Sequence, residues 1–155
     1  YHASRSGLGT DAAPLNIPDG FGDFLGRLTQ LADVWLATNA PPTGIDSFFS
    51  GVGISHYFSR KCFKVGKPDG LHSLLAEASA RGPVLSVGDI YDYDLAPAVA
   101  IGAATALVGA TTARERRSVT MRAASLDALY PEIEAWAAAA VPSSPLRSSQ
   151  DNPTS

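Results

Sequence analysis

The chain predicts an α/β fold built on a parallel sheet, and three observations carry that expectation. Short apolar runs at residues 33–38, 84–87 and 104–108 alternate with segments whose apolar residues recur at helical spacing. Val84, Leu85 and Val87 form a compact run of the kind that fills a parallel sheet buried on both faces. Immediately after it the chain breaks at Gly88 into a turn carrying Asp89, Asp92 and Asp94, at the strand's carboxyl end, where open α/β sheets bind ligands.

Each element follows from local pattern. Residues 1–18 are rich in Gly, Ser, Ala and Pro without sustained periodicity, and read as a linker or the remnant of a preceding cap. From Asp19, Phe21, Phe24, Leu25, Leu28, Leu31 and Ala32 fall on one helical face, with Pro18 and Asp19 placed to start the helix. Residues 33–38 form a strand, and Ile45, Phe48 and Phe49 give the next helix a short apolar face. Residues 54–65 alternate poorly and are expected as a short strand or a packed loop. The KPDG run at 67–70 is expected to open a helix carrying the Leu71, Leu74, Leu75 and Ala78 stripe, with Pro68 in its first turn.

A helix over 95–101 tolerates Pro97 only in its first turn, and Gly102 ends it before the strand at 104–108. Residues 119–123 can add another short strand. Ser125 is placed to cap a last helix through Leu126, Leu129, Tyr130, Ile133, Trp136 and Ala137. Beyond Val141 the composition cannot bury a core, so 142–155 are expected to be a disordered tail and 19–141 the folded core.

Composition narrows the function classes. In 155 residues, 12 Lys and Arg stand against 15 Asp and Glu, a formal charge of −3, which argues against a nucleic-acid surface. Arg114, Arg116 and Arg117 read as a solvated loop or helix end. Cys62 has no second cysteine to pair with, which fits a reducing, cytoplasmic compartment. No apolar run approaches the roughly 18 residues of a membrane span.

Three features could carry chemistry. Taken alone, Thr38 and Asn39 at a strand end suit a capping turn as well as an anion site, and Lys67 suits an ordinary surface. Clustered aspartates at a strand end suit a hard cation. In one parallel sheet all three would meet at one edge, a set suited to Mg²⁺ and phosphate.

The runs LATN ending at Asn39, KPDG at Lys67 and VGDIYDYDLAPAVAIGAATALV, with its GDxxxxD spacing, resemble the haloacid-dehalogenase-like (HAD) hydrolases over residues 19–139. The resemblance implies a three-layer, Rossmann-like core and Mg²⁺-dependent hydrolysis of a small phosphorylated metabolite. Thr38 would hydrogen-bond the phosphoryl group with help from the Asn39 amide, Lys67 would offset charge, and Asp89 and Asp94 would hold Mg²⁺. Asp92 has no assigned role. The family's nucleophile is an aspartate in a DxD motif after an apolar strand, and neither Asp11 nor Asp19 has that context. In the family that strand lies between those bearing Thr38 and Asp89. The expectation is therefore a core incomplete at its N-terminal side, marginally stable and inactive alone. A non-catalytic pseudoenzyme or interaction module is the alternative. A receiver-type domain fits less well, because its acidic pair precedes the Thr and Lys sites.

Overall fold

A computed structural model describes residues 17–109 and 114–140. Helix α1, Phe21–Leu28, buries Phe21, Phe24 and Leu25. It stops short of the expected Ala32 because the Thr29 hydroxyl bonds back to the Gly26 carbonyl at 3.1 Å, while the Gln30 and Leu31 amides shift to three-residue hydrogen bonds. Strand β1, Trp35–Ala37, follows with Leu36 fully buried, then α2, Ile45–Gly51. Residues 54–65 contain both a 3₁₀ turn, Ser55–Tyr57, and strand β2, Arg60–Cys62.

Helix α3 is Leu71–Ser79. The KPDG run is not its first turn. Residues 67–70 form a separate turn, closed by the Gly70 amide on the Gly66 carbonyl and the Leu71 amide on the Pro68 carbonyl, with a cis Lys67–Pro68 peptide. A side chain at Gly70 would overlap the Val65 carbonyl, so the turn's tightness requires glycine. Strand β3, Leu85–Gly88, leads into a single π turn, Tyr91–Leu95, and then α4, Ala96–Ala100, where Pro97 lies in the first turn as expected. Strands β4, Ala104–Val108, and β5, Met121–Ala123, precede a 3₁₀ turn, Leu126–Leu129, and α5, Tyr130–Ala140. Ser125 makes no side-chain cap, because the 3₁₀ turn separates it from the α-helix. The expected linker and tail, and Asp11 with them, lie outside the described residues apart from positions 17 and 18.

All strand pairs are parallel, but among the described residues they form two sheets, β1–β2 and β3–β4–β5, rather than one. The two run in the same direction. Arg81 reaches Asp33 at the starts of β3 and β1, and Lys67 joins the ends of both. Helices cover the strands in two layers. Phe24, Leu25, Phe49, Leu129 and Ile133 pack with Leu36, Val87 and Ala106 on one side, and Leu71, Leu75 and Ala98 with Ala37 and Val84 on the other. Arg27 clamps α1 to α5 through a two-pronged contact with Glu134 at 3.0 and 3.1 Å.

Tyr130 stacks on Phe24 with ring centroids 4.1 Å apart, yet its buried hydroxyl has no hydrogen-bond partner among the described residues. Burial pushes the phenol up to about 12. Because the folded value is raised, this contribution to stability is complete below the unfolded phenol's value near 10 and is lost as pH climbs toward 12. Tyr130→Phe removes an orphaned polar group while keeping the stack. It is expected to raise stability by about 1 kcal/mol and to flatten the alkaline limb of a urea-denaturation pH profile.

Candidate active site

The ends of β1 and β3 and the turn at 67–70 build the site. Thr38 follows β1, its amide donating to the Cys62 carbonyl at 3.0 Å. Its side chain is fully buried, and Oγ1 accepts the Ala40 amide at 3.1 Å, which leaves the hydroxyl proton able to donate. Asn39 is exposed and serves as a clamp. Its Oδ1 accepts the Lys67 amide at 2.7 Å and its Nδ2 reaches the Lys67 carbonyl at 3.5 Å, which fixes the lysine's backbone.

The Lys67 ammonium donates to the Ala37 carbonyl at 3.2 Å and to Asp94 Oδ1 at 2.5 Å. Both side chains of the ion pair are only 3% exposed. A helix opening at the KPDG run would set Lys67 beside its N-terminus, but α3 begins at Leu71, and the lysine acts through these side-chain contacts instead. Asp94 is further fixed by the Ile90 amide on Oδ2 at 3.2 Å and by the Ser86 hydroxyl donating to its carbonyl at 2.7 Å. Gly88 makes this possible, since a Cβ there would overlap the Asp94 side chain. Asp89 sits one residue beyond β3, where a Cβ on Gly109 would lie 3.4 Å from its own.

Thus Thr38 and Asn39 follow β1, Asp89 and Asp94 follow β3, and Lys67 reaches both from the turn after β2, with direct hydrogen bonds linking Asn39 to Lys67 and Lys67 to Asp94. Two contributors were missed from sequence. Ser86 alternates within an apolar strand, and a single hydroxyl there gives no signal. Arg117 explains Asp92: it donates to Asp92 Oδ1 at 2.8 Å, lies 4.0 Å over the Tyr91 ring, and holds the Glu115 carboxyl down at about 2. Its basic neighbourhood looked like a solvated loop, and Arg117 is indeed half-exposed, but it ties that loop to the acidic turn.

Among the described residues no group of three His, Cys, Asp or Glu side chains could hold a metal. Magnesium does not need one, because it commonly takes one or two carboxylates and completes its shell with water and substrate phosphate. Asp89 and Asp94 supply hard oxygen donors, and the Cβ-free space over Gly88 admits the Asp94 carboxyl. This donor set fits Mg²⁺.

Solved structures share this architecture. The chain superimposes on YfnB of Bacillus subtilis, a proposed HAD-hydrolase bound to magnesium, with a TM-score of 0.60 at 19% identity over 74% of its length. It superimposes on a HAD phosphatase from Thermococcus onnurineus with a TM-score of 0.58 at 16% identity over 76%. The fold is HAD-like. The chain spans 54% and 58% of those two proteins, so it matches little more than half of each. No protein-family model and no curated protein matches it. No helix of the described residues in this HAD-like core is long and apolar enough to cross a membrane.

Proposed function

We propose that this chain is the metal- and phosphate-binding part of a Mg²⁺-dependent HAD-like phosphohydrolase acting on a small phosphorylated metabolite. The observation that carries the reading is the Lys67 ammonium, fixed between the end of β1 and Asp94 by the Asn39 clamp. Three stretches far apart in sequence thereby converge on one cation beside the Asp94 carboxylate. Magnesium held by Asp89 and Asp94 would draw in the phosphate oxygens and offset their charge. Lys67 would add a second positive charge on the buried side of the site, and the Thr38 hydroxyl would donate to a phosphoryl oxygen.

None of these residues is placed as a nucleophile, and the family's attacking aspartate has no counterpart assigned in the sequence. The proposal is therefore of a fragment of the catalytic unit, inactive by itself. At about 5 mM Mg²⁺ the thermal midpoint is expected to rise by roughly 2–4 °C, and Asp89→Asn is expected to abolish the rise. No rise in the unmodified chain would leave the non-catalytic reading. Turnover of p-nitrophenyl phosphate by the purified 155-residue chain, lost in Asp89→Ala, would overturn the fragment reading.

A further inference from the structure

The acidic turn carries one carboxylate more than the proposed site uses. Asp94 takes the Lys67 ammonium on its buried side, and Asp92 takes the Arg117 guanidinium on the exposed side, with Nη1 donating to Oδ1 at 2.8 Å. Each cation is brought from a different part of the chain, Lys67 from the turn after β2 and Arg117 from the loop between β4 and β5.

Arg117 does not meet Asp92 as a loose surface side chain. Its Nε and Nη2 form a two-pronged fork on the Glu115 carboxylate, both at 2.8 Å, and its own amide donates to the same group at 2.9 Å. The guanidinium lies over the ring of Tyr91, the residue before Asp92. Arg122 of β5 holds the loop's backbone in turn, donating to the carbonyls of Glu115 and Arg117. A lone exposed ion pair contributes little, because two long side chains must be immobilised to form it. Here the arginine is already fixed, so capturing Asp92 costs the rotamer freedom of that one short side chain. With Asp92 held this way, no three acidic, His or Cys side chains among the described residues come together as a metal site.

We infer that Arg117 is a positioning residue that withholds Asp92 from the metal and so sets the preference of this turn for Mg²⁺ over Ca²⁺. The inference rests on the proposed Mg²⁺ reading of Asp89 and Asp94. Mg²⁺ keeps several waters and takes one or two carboxylates with substrate phosphate, whereas Ca²⁺ takes roughly six to eight oxygens in a flexible, carboxylate-rich shell. A third carboxylate therefore favours the larger ion and fills positions that phosphate oxygens need. Asp92 lies between Asp89 and Asp94 on one short turn, and without Arg117 its carboxylate joins theirs. Loss of Arg117 also leaves more negative charge beside the turn, which strengthens the binding of any divalent cation. The ratio of Ca²⁺ to Mg²⁺ affinity cancels that common factor and isolates the change in ligands.

The test is calorimetric titration of the purified 155-residue chain with MgCl₂ and, separately, CaCl₂. In about 0.15 M salt, Arg117→Gln is expected to tighten Ca²⁺ binding about tenfold and Mg²⁺ binding about twofold, a change of about fivefold in their ratio. Adding Asp92→Asn to that variant is expected to return the ratio to its original value. Arg117→Lys, which keeps a cation for Asp92 without the fork, is expected to give an intermediate ratio. Asp92→Asn alone is expected to change neither affinity by more than about twofold, because Asp92 is not a ligand while Arg117 holds it. An unchanged ratio in Arg117→Gln would overturn the inference, as would equal weakening of both ions, the mark of a residue that only props the turn. A larger loss of affinity in Asp92→Asn, an exposed position whose result does not depend on the folding of any Arg117 variant, would show Asp92 already ligating and would overturn it too. These failures, in a chain that binds Mg²⁺, leave the metal site standing and remove only the role of Arg117. Binding of neither ion by the unmodified chain removes the metal reading and the inference with it.

Discussion

Lys67→Met is expected to destabilise the chain by about 3–5 kcal/mol, the scale of breaking a buried ion pair from one side. The magnitude follows from burial. Exposed pairs such as Arg81–Asp33, with side chains more than half exposed, contribute about 0–1 kcal/mol because water screens them. Lys67 and Asp94 are both nearly sealed, and removing the ammonium leaves a carboxylate that must stay charged out of water, take up a proton or drag the turn open. The Ala37 carbonyl loses its donor at the same time. Asp94 keeps only the Ile90 amide on its side-chain oxygens, which is too little to replace a cation.

The double variant Lys67→Met, Asp94→Leu should recover most of the loss, because exchanging both partners for apolar groups leaves no buried charge. Urea denaturation of the wild type, both single variants and the double variant gives the coupling directly. A Lys67→Met penalty below about 1 kcal/mol would mean that water reaches Asp94 freely, and the pair would then be a surface contact in all but geometry.

How far this site could be read from sequence depends on what each residue's neighbours are. Strands β3 and β4 were legible because their residues are apolar on both faces, and α3 because its leucines keep helical spacing. The acidic turn was legible because Gly88 ends an apolar run and Asp89, Asp92 and Asp94 crowd in behind it, charges that a strand buried on both faces could not carry. What failed was anything set by backbone hydrogen bonds within a few residues. Thr29 ends α1 a turn early through its own hydroxyl, and the Gly70 turn delays α3 until Leu71. Both are side-chain or turn effects that periodicity does not register. The partners of Asp92 and Asp94 were equally hidden, since Arg117 and Ser86 come from other elements and meet them only once the sheet is formed. The split between β1 and β3 is not written in composition, which says nothing about which edges meet, but it agrees with the missing strand that the HAD resemblance places between those bearing Thr38 and Asp89.

Gly88→Ala should be nearly as damaging as the loss of Lys67, by a different route. The added methyl would occupy the position of the Asp94 carboxyl, and neither can yield easily: Gly88 is held in the ladder to β4, and Asp94 is held by Lys67, Ile90 and Ser86. Overpacking of this kind costs about 1–3 kcal/mol in a well-packed core, and here it also displaces one half of a buried ion pair. The expected penalty is about 3 kcal/mol, accompanied by loss of any Mg²⁺-dependent rise in melting, because the carboxylate is driven from its place at the strand end. The cause can be separated from general strain in β3 by repeating the substitution in an Asp94→Gly background, where no side chain remains to collide. There Gly88→Ala should cost less than about 1 kcal/mol, and the non-additivity measures the clash. An equal cost in both backgrounds would show that glycine is needed for the strand itself, and that the Asp94 carboxyl does not depend on the space above it.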